Sequence, residues 1–285
     1  MMDRPTHPIP QAVLTKRIAA LPALPALTTD LLASFDQEDL DVSTLARRIS
    51  ADQSLLARML RIANSPFYGL SGKVGTIGDA IVVLGFRTVR SLALSAAMVD
   101  SLSRLGNQGI DAGAFWRHSV GTALCARQIA LALRGNAETA FTAGLIHDMG
   151  QLLLAACFPG QYTEILEWRN SHDCPTRVAE RAVIGTDHAV VGGLIAHQWN
   201  FPPAIADAIV RHPVPDDGPP ARLTDIVHFA NALALALTPA ETAPVALPPL
   251  SSMAWERLGL KQTDLGPILR KVENDFEETC RALTT

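Results

Sequence analysis

Apolar residues return at intervals of three and four through AFWRHSVGTALCARQIALAL, ETAFTAGLIHDMGQLLLAACF, YTEILEWRNS, VAERAVIGTDHAVVGGLIAHQWN, PAIADAIVRH and LTDIVHFANALALAL. An α-helix turns once every 3.6 residues, so this interval lines one face of a helix with apolar side chains. No pair of segments alternates apolar and polar residues as two half-buried strands would, and no repeat period is present. The expected fold class is therefore all-α, a two-lobed helical bundle.

Glycine and proline mark the divisions. An N-terminal helical lobe is expected over residues 14–105 and a second helical lobe over 112–285, with LGNQGIDAG (105–113) between them. In the first lobe, LPALPAL (21–27) is extended or a helix entry. DVSTLARRISADQSLLARMLRIAN reads as two short helices, the first capped by Asp41 or Ser43 and the second entered through Ser50-Ala51-Asp52. IGDAIVVLGFRTVRSLALSAAMVDSL reads as two helices broken at Gly85, and its β-branched run Ile81-Val82-Val83 is assigned to helix on its Ala- and Leu-rich surroundings. NSPFYGLSGKVGT (64–76) is a loop. Its Phe67 and Tyr68 either plug the lobe interface or offer a contact to a partner or ligand. TPAETAPVALPPL (238–250), with four prolines, is a connecting loop, and a last helix is expected from Leu265 to Cys280.

Composition narrows the function classes. Hydrophobic residues make up 48% and charged residues 18%, a globular balance. The net charge is −4, from 24 Lys+Arg against 28 Asp+Glu, which does not suggest a chain that wraps nucleic acid or docks on an anionic membrane. The four cysteines, Cys125, Cys157, Cys174 and Cys280, form no CxxC pair, as expected in a reducing cytoplasm. MMDRPTHPIPQ lacks the apolar core of a signal peptide, and no uninterrupted apolar run reaches the roughly 18 residues of a membrane span. The expected setting is cytoplasmic, with no membrane partner.

AGLIHDMGQLLLA (143–155) places His147 beside Asp148 inside an apolar run. A buried carboxylate is costly without a partner, so the pair implies either a metal ion or a buried hydrogen-bonded network. A metal needs four to six ligands, and the rest must come from facing helices of the bundle. His118 in FWRHS, His188 in GTDHAVVGG and His212 in VRHPVP are the candidates. His7, His172 and His197 lack such a context and read as surface or helix-face residues, whereas Trp116 and Trp199 read as core anchors.

The order His118, then His147-Asp148, resembles the HD superfamily of metal-dependent phosphohydrolases. More closely, residues 14–237 resemble the HDOD domain, a regulatory branch of that superfamily. The resemblance rests on LPALP, LARRISADQSLLARMLRIANSPFYG, IGDAIVVLGFRTVRSLAL, FWRHS, AGLIHDMGQLLL, ERAVIGTDHAVVGGLIAHQW, FPPAI and VHFANALA. It implies that the second lobe is HD-like. The departures imply a degenerate site. Active HD enzymes end their ligand set with an aspartate where this chain has Asn231, a poorer ligand for a divalent ion. The lysine of HDxGK is Gln151 here, and a paired histidine is reduced to His212 followed by Pro213. His118, His147, Asp148, His188 and His212 are then expected to bind Fe, Mn or Zn weakly or to pin helices together, with no cofactor required.

The resemblance implies a non-catalytic module of bacterial signal transduction whose input arrives through a signalling protein partner or a small ligand. Two alternatives are a phosphodiesterase with an altered ligand set and a DNA-binding regulator. The latter would use STLARRISADQSLLARMLRIAN as a helix-turn-helix, with Arg47, Arg48, Arg58 and Arg61, followed by Arg87 and Arg90.

Overall fold

A computed structural model describes residues 5–34, 42–64, 74–105, 109–237 and 248–284. Every regular element among them is a helix. The first six are α1 (Gln11–Ala19), α2 (Ala26–Ala33), α3 (Val42–Ala51), α4 (Gln53–Ala63), α5 (Ile77–Leu84) and α6 (Phe86–Ser103). Next come α7 (Ala112–Ala132), α8 (Ala137–Ile146), α9 (Met149–Cys157), α10 (Pro159–His172), α11 (Thr176–Ile184), α12 (His188–Gln198), α13 (Pro203–Arg211) and α14 (Arg222–Leu237). Two more, α15 (Ser252–Leu258) and α16 (Gln262–Thr284), close the chain.

Local chemistry sets the ends. Asp52 caps α4 by accepting from the Leu55 N–H at 3.0 Å. Thr76 and Asp79 form a reciprocal capping box at the start of α5, which holds Ile81-Val82-Val83 in helix. Gly85, with φ of 83°, ends α5 and begins α6, a backbone angle that a Cβ would resist. Short α15 was not expected. Ser251 caps it through the Ala254 N–H, and Gly259 stops it in the left-handed region. Asp41, Phe67, Tyr68 and residues 238–247 lie outside the described residues.

One continuous apolar core runs from Leu14 to Leu283 and includes Trp116 and Trp199. Helices α7, α8 and α14 pack together at its centre, α6 and α13 lean on α8, and α16 lies along α7. α1 packs on α9 and α12. Ahead of it, the backbone N–H groups of Thr6, His7 and Ile9 bond the carbonyls of Ala182, Val183 and Ile184. The stretch Ala137–Cys157 has the length and composition of a membrane-crossing helix, and 83% of its apolar 18-residue window is buried within the protein. All four cysteines are free.

Candidate metal centre

His147 and Asp148 do not lie inside a helix. His147 is the C-cap of α8, and Asp148, with φ −97° and ψ 13°, precedes the first residue of α9. That turn lets adjacent side chains aim at one point, which consecutive positions of a helix, about 100° apart, do less readily. Two glycines allow the neighbouring helices to close on the turn. A Cβ on Gly144 would stand 2.9 Å from Ala123 Cα, so α8 lies directly on α7, the helix of His118. A Cβ on Gly150 would stand 1.9 Å from the His188 carbonyl oxygen, so α9 lies directly on the start of α12.

The Asp148 carboxylate is the centre. Its Oδ2 faces His118 Nε2 at 3.7 Å and His147 Nε2 at 3.4 Å. Its Oδ1 faces His188 Nε2 at 3.2 Å and His212 Nε2 at 3.3 Å. The structure thus brings His118, His147, Asp148, His188 and His212 together, in two groups that share Asp148. Gln151 donates from Nε2 to Asp148 Oδ2 at 2.7 Å, and Asn231 of α14 lies beside His118.

The second nitrogen of each ring fixes its role. His147 Nδ1 lies 2.8 Å from the Gly144 carbonyl and His212 Nδ1 lies 2.9 Å from the Ile209 carbonyl. A carbonyl only accepts, so both Nδ1 atoms carry hydrogen, and in the neutral rings the Nε2 lone pairs are turned toward the carboxylate. Lone pairs facing a carboxylate repel, and His147 Nε2 and Asp148 Oδ1 are buried without a hydrogen-bond partner. A cation between them relieves both faults, so the donor set fits a divalent ion.

Burial governs the protonation of these groups. Burial, reinforced by the neighbouring His147, holds His118 down to about 4. Burial also takes His147 to about 4 against the opposing pull of Asp148. His212 is lowered by burial as well. Asp148 behaves differently: burial works against its charge, yet His147 and His188 together hold it well below the usual carboxylate range. His188 is likewise penalised by burial, but the Glu180 and Asp148 carboxylates on either side raise it well above the ordinary value.

The centre is closed. Side-chain exposure is 0% for His147, 1% for His212, 6% for His188 and 7% for Asp148, and it reaches only 16% for His118. Two contributors were not expected. Glu180 of α11 accepts from His188 Nδ1 at 2.7 Å and from the His188 N–H at 2.9 Å. His228 of α14 donates from Nδ1 to the His212 carbonyl at 2.7 Å and accepts from the Ser251 N–H at 3.0 Å, tying α15 to the end of α13. His7, His172 and His197 are exposed and stand apart from the centre.

A model of the HDOD domain matches residues 21–215 of the chain, about two thirds of its length. The chain belongs to the HDOD domain family. This HDOD chain is 28% identical to a protein of Shewanella amazonensis provisionally named a phosphohydrolase; the TM-score is 0.76 over 95% of this chain and 98% of that one. An HDOD domain protein of unknown function from Geobacter sulfurreducens shares the fold at 24% identity, with a TM-score of 0.74 over 93% and 90% of the two chains. An uncharacterized protein of Treponema pallidum is 24% identical over 272 residues, 93% of this chain and 52% of that protein. The HDOD chain therefore spans about half the length of that curated relative.

Proposed function

We propose that the chain is a non-catalytic regulatory module of bacterial signal transduction, acting in the cytoplasm through a signalling protein partner or a small ligand. The observation that carries this reading is the closure of the Asp148 centre. A hydrolase must bring a phosphodiester to its metal, and the side chains around Asp148 leave almost no surface for one. Two substitutions point the same way. Asn231 supplies no charge beside His118, and Gln151 spends its amide on Asp148, where a lysine would offer a cation to phosphate.

In this reading the centre is a degenerate HD site that holds a divalent ion, Fe, Mn or Zn, for structure. His118, His147, Asp148, His188 and His212 would hold it. When bound, such an ion supplies positive charge and Lewis acidity. Asp148 orients toward all four rings, and the histidines draw the ends of α8 and α13 onto α7, α9 and α12. Protein purified without chelator or affinity nickel is expected to carry one of these metals by elemental analysis, and the His147→Ala variant to lack it. Chelation should lower the melting temperature of the wild type, because an ion bound only by the folded state at a thousand times its Kd contributes about 4 kcal/mol. Metal-free wild type with a melt unmoved by chelator would refute the metal reading.

A second reading, a phosphodiesterase with an altered ligand set, is favoured by one observation: four imidazoles converge on a single carboxylate. Nothing comparable favours DNA binding. Arg58 bonds the Ala96 carbonyl, Arg48 pairs with Asp30, and Arg90 is buried against the Ser34 carbonyl. Arg58 and Arg90 are thus spent on backbone carbonyls within the bundle, and Arg48 on an exposed ion pair.

A further inference from the structure

Glu180 is fully buried on α11, a helix that supplies none of the side chains facing Asp148. A carboxylate in that position is costly unless a cation or several donors answer it. The arginines of its own helix do not. Arg177 and Arg181, on the same helix, both bond Asp187 Oδ2, at 2.9 and 2.7 Å. Glu180 Oε2 instead takes both of its hydrogen bonds from His188, and Oε1 has no hydrogen-bond partner. Helix packing accounts for the burial. Glu180 shares the inward face of α11 with Ala179, Val183 and Ile184, where an apolar residue would serve the core better.

The charge balance gives this placement a purpose. Around Asp148 stand four imidazoles and one carboxylate, so a divalent ion held by neutral rings leaves one uncompensated positive charge in a closed centre. We propose that Glu180 is a positioning residue and the second counter-charge of this centre. It holds His188 with hydrogen on Nδ1 and its Nε2 aimed at Asp148, and it brings the buried charge of the loaded centre to zero. A carboxylate hydrogen-bonded to the far nitrogen of a histidine fixes the ring and makes it a stronger ligand. The inference rests on the metal reading given above.

The test is titration of metal-free wild type, Glu180→Gln and Glu180→Ala with Co²⁺, read by visible absorbance and by thermal melts before metal is added. Glutamine keeps an acceptor for His188 and removes the charge, whereas alanine removes both. Glu180→Gln is expected to bind Co²⁺ about 10- to 100-fold more weakly than wild type, with a changed spectrum, and Glu180→Ala more weakly still. Both binding as tightly as wild type, with its spectrum, would overturn the proposal. Should neither variant melt cooperatively, proton–nitrogen correlation spectra of the zinc-loaded wild type decide. Hydrogen on His188 Nδ1 is the expected result, and hydrogen on Nε2 overturns it. Wild type that takes up no Co²⁺ overturns the metal reading itself, and this inference with it.

Discussion

Replacing Gly150 by alanine is expected to lower the melting temperature by roughly 6–12 °C and to strip the centre of metal. The added methyl group would stand 1.9 Å from the His188 carbonyl oxygen and 2.8 Å from the Gly192 backbone nitrogen. Both are backbone atoms of α12, so no side chain can swing aside and the helices must separate. Overpacking of this kind costs about 3 kcal/mol, and in a chain of this size 1 kcal/mol is roughly 2–4 °C. The second consequence follows from position. Gly150 is two residues from Asp148, and the backbone it touches carries His188, so separation of α9 from α12 pulls the carboxylate away from that imidazole. Gly160→Ala is the control. That glycine lies in α10 with nothing within 4 Å of its Cβ position, and alanine there should leave the melt unchanged or raise it slightly. A Gly150→Ala protein that melts like wild type would contradict the close approach of α9 and α12.

Asp148→Ala should destabilise the metal-free protein by about 1–3 kcal/mol, beyond removing metal binding. Asp148 is the carboxylate that all four rings share, and the protonated His188 lies between it and Glu180. Removing it leaves His188 with Glu180 as its one remaining carboxylate and strands the part-buried Gln151 amide, and losing a partner of that kind costs about 1–3 kcal/mol. The exposed pair of His7 with Glu164 supplies the contrast. Its side chains are 63% and 45% exposed, and His7→Ala should cost under about 1 kcal/mol. Urea unfolding of the metal-free proteins measures both. Equal midpoints for Asp148→Ala and wild type would mean that Asp148 does not tie the helices together.

The helices were legible in sequence because burial of one face leaves a mark every three or four residues. α4, α11 and α13 follow directly from it, and Gly85 as a break follows from a backbone angle that other residues resist. The turn at His147-Asp148 was not legible. Apolar spacing runs unbroken from Ala137 to Cys157, and only packing against α7 and α12 shows that the helix stops. His188 and His212 were identifiable as candidates by residue type, but their arrival at Asp148 depends on contacts between distant segments. Glu180 did leave a signal: it falls three and four positions before Val183 and Ile184, on the apolar stripe of α11, where a charge calls for a partner. Ser251 and Gly259 likewise flagged α15 at both ends, although its short length left little periodicity between them.

The central claim is that this centre binds without turning over, and turnover tests it most directly. Protein loaded with manganese or iron should be incubated with cyclic dinucleotides and with a model phosphodiester, beside a variant in which His147 and Asp148 are both alanine. The account predicts that wild type and variant release product at the same rate, that of the free metal ion. Metal-dependent hydrolysis by the wild type that the double variant loses would contradict it, and would make the chain a phosphodiesterase working with Asn231 and Gln151 in place of the usual aspartate and lysine.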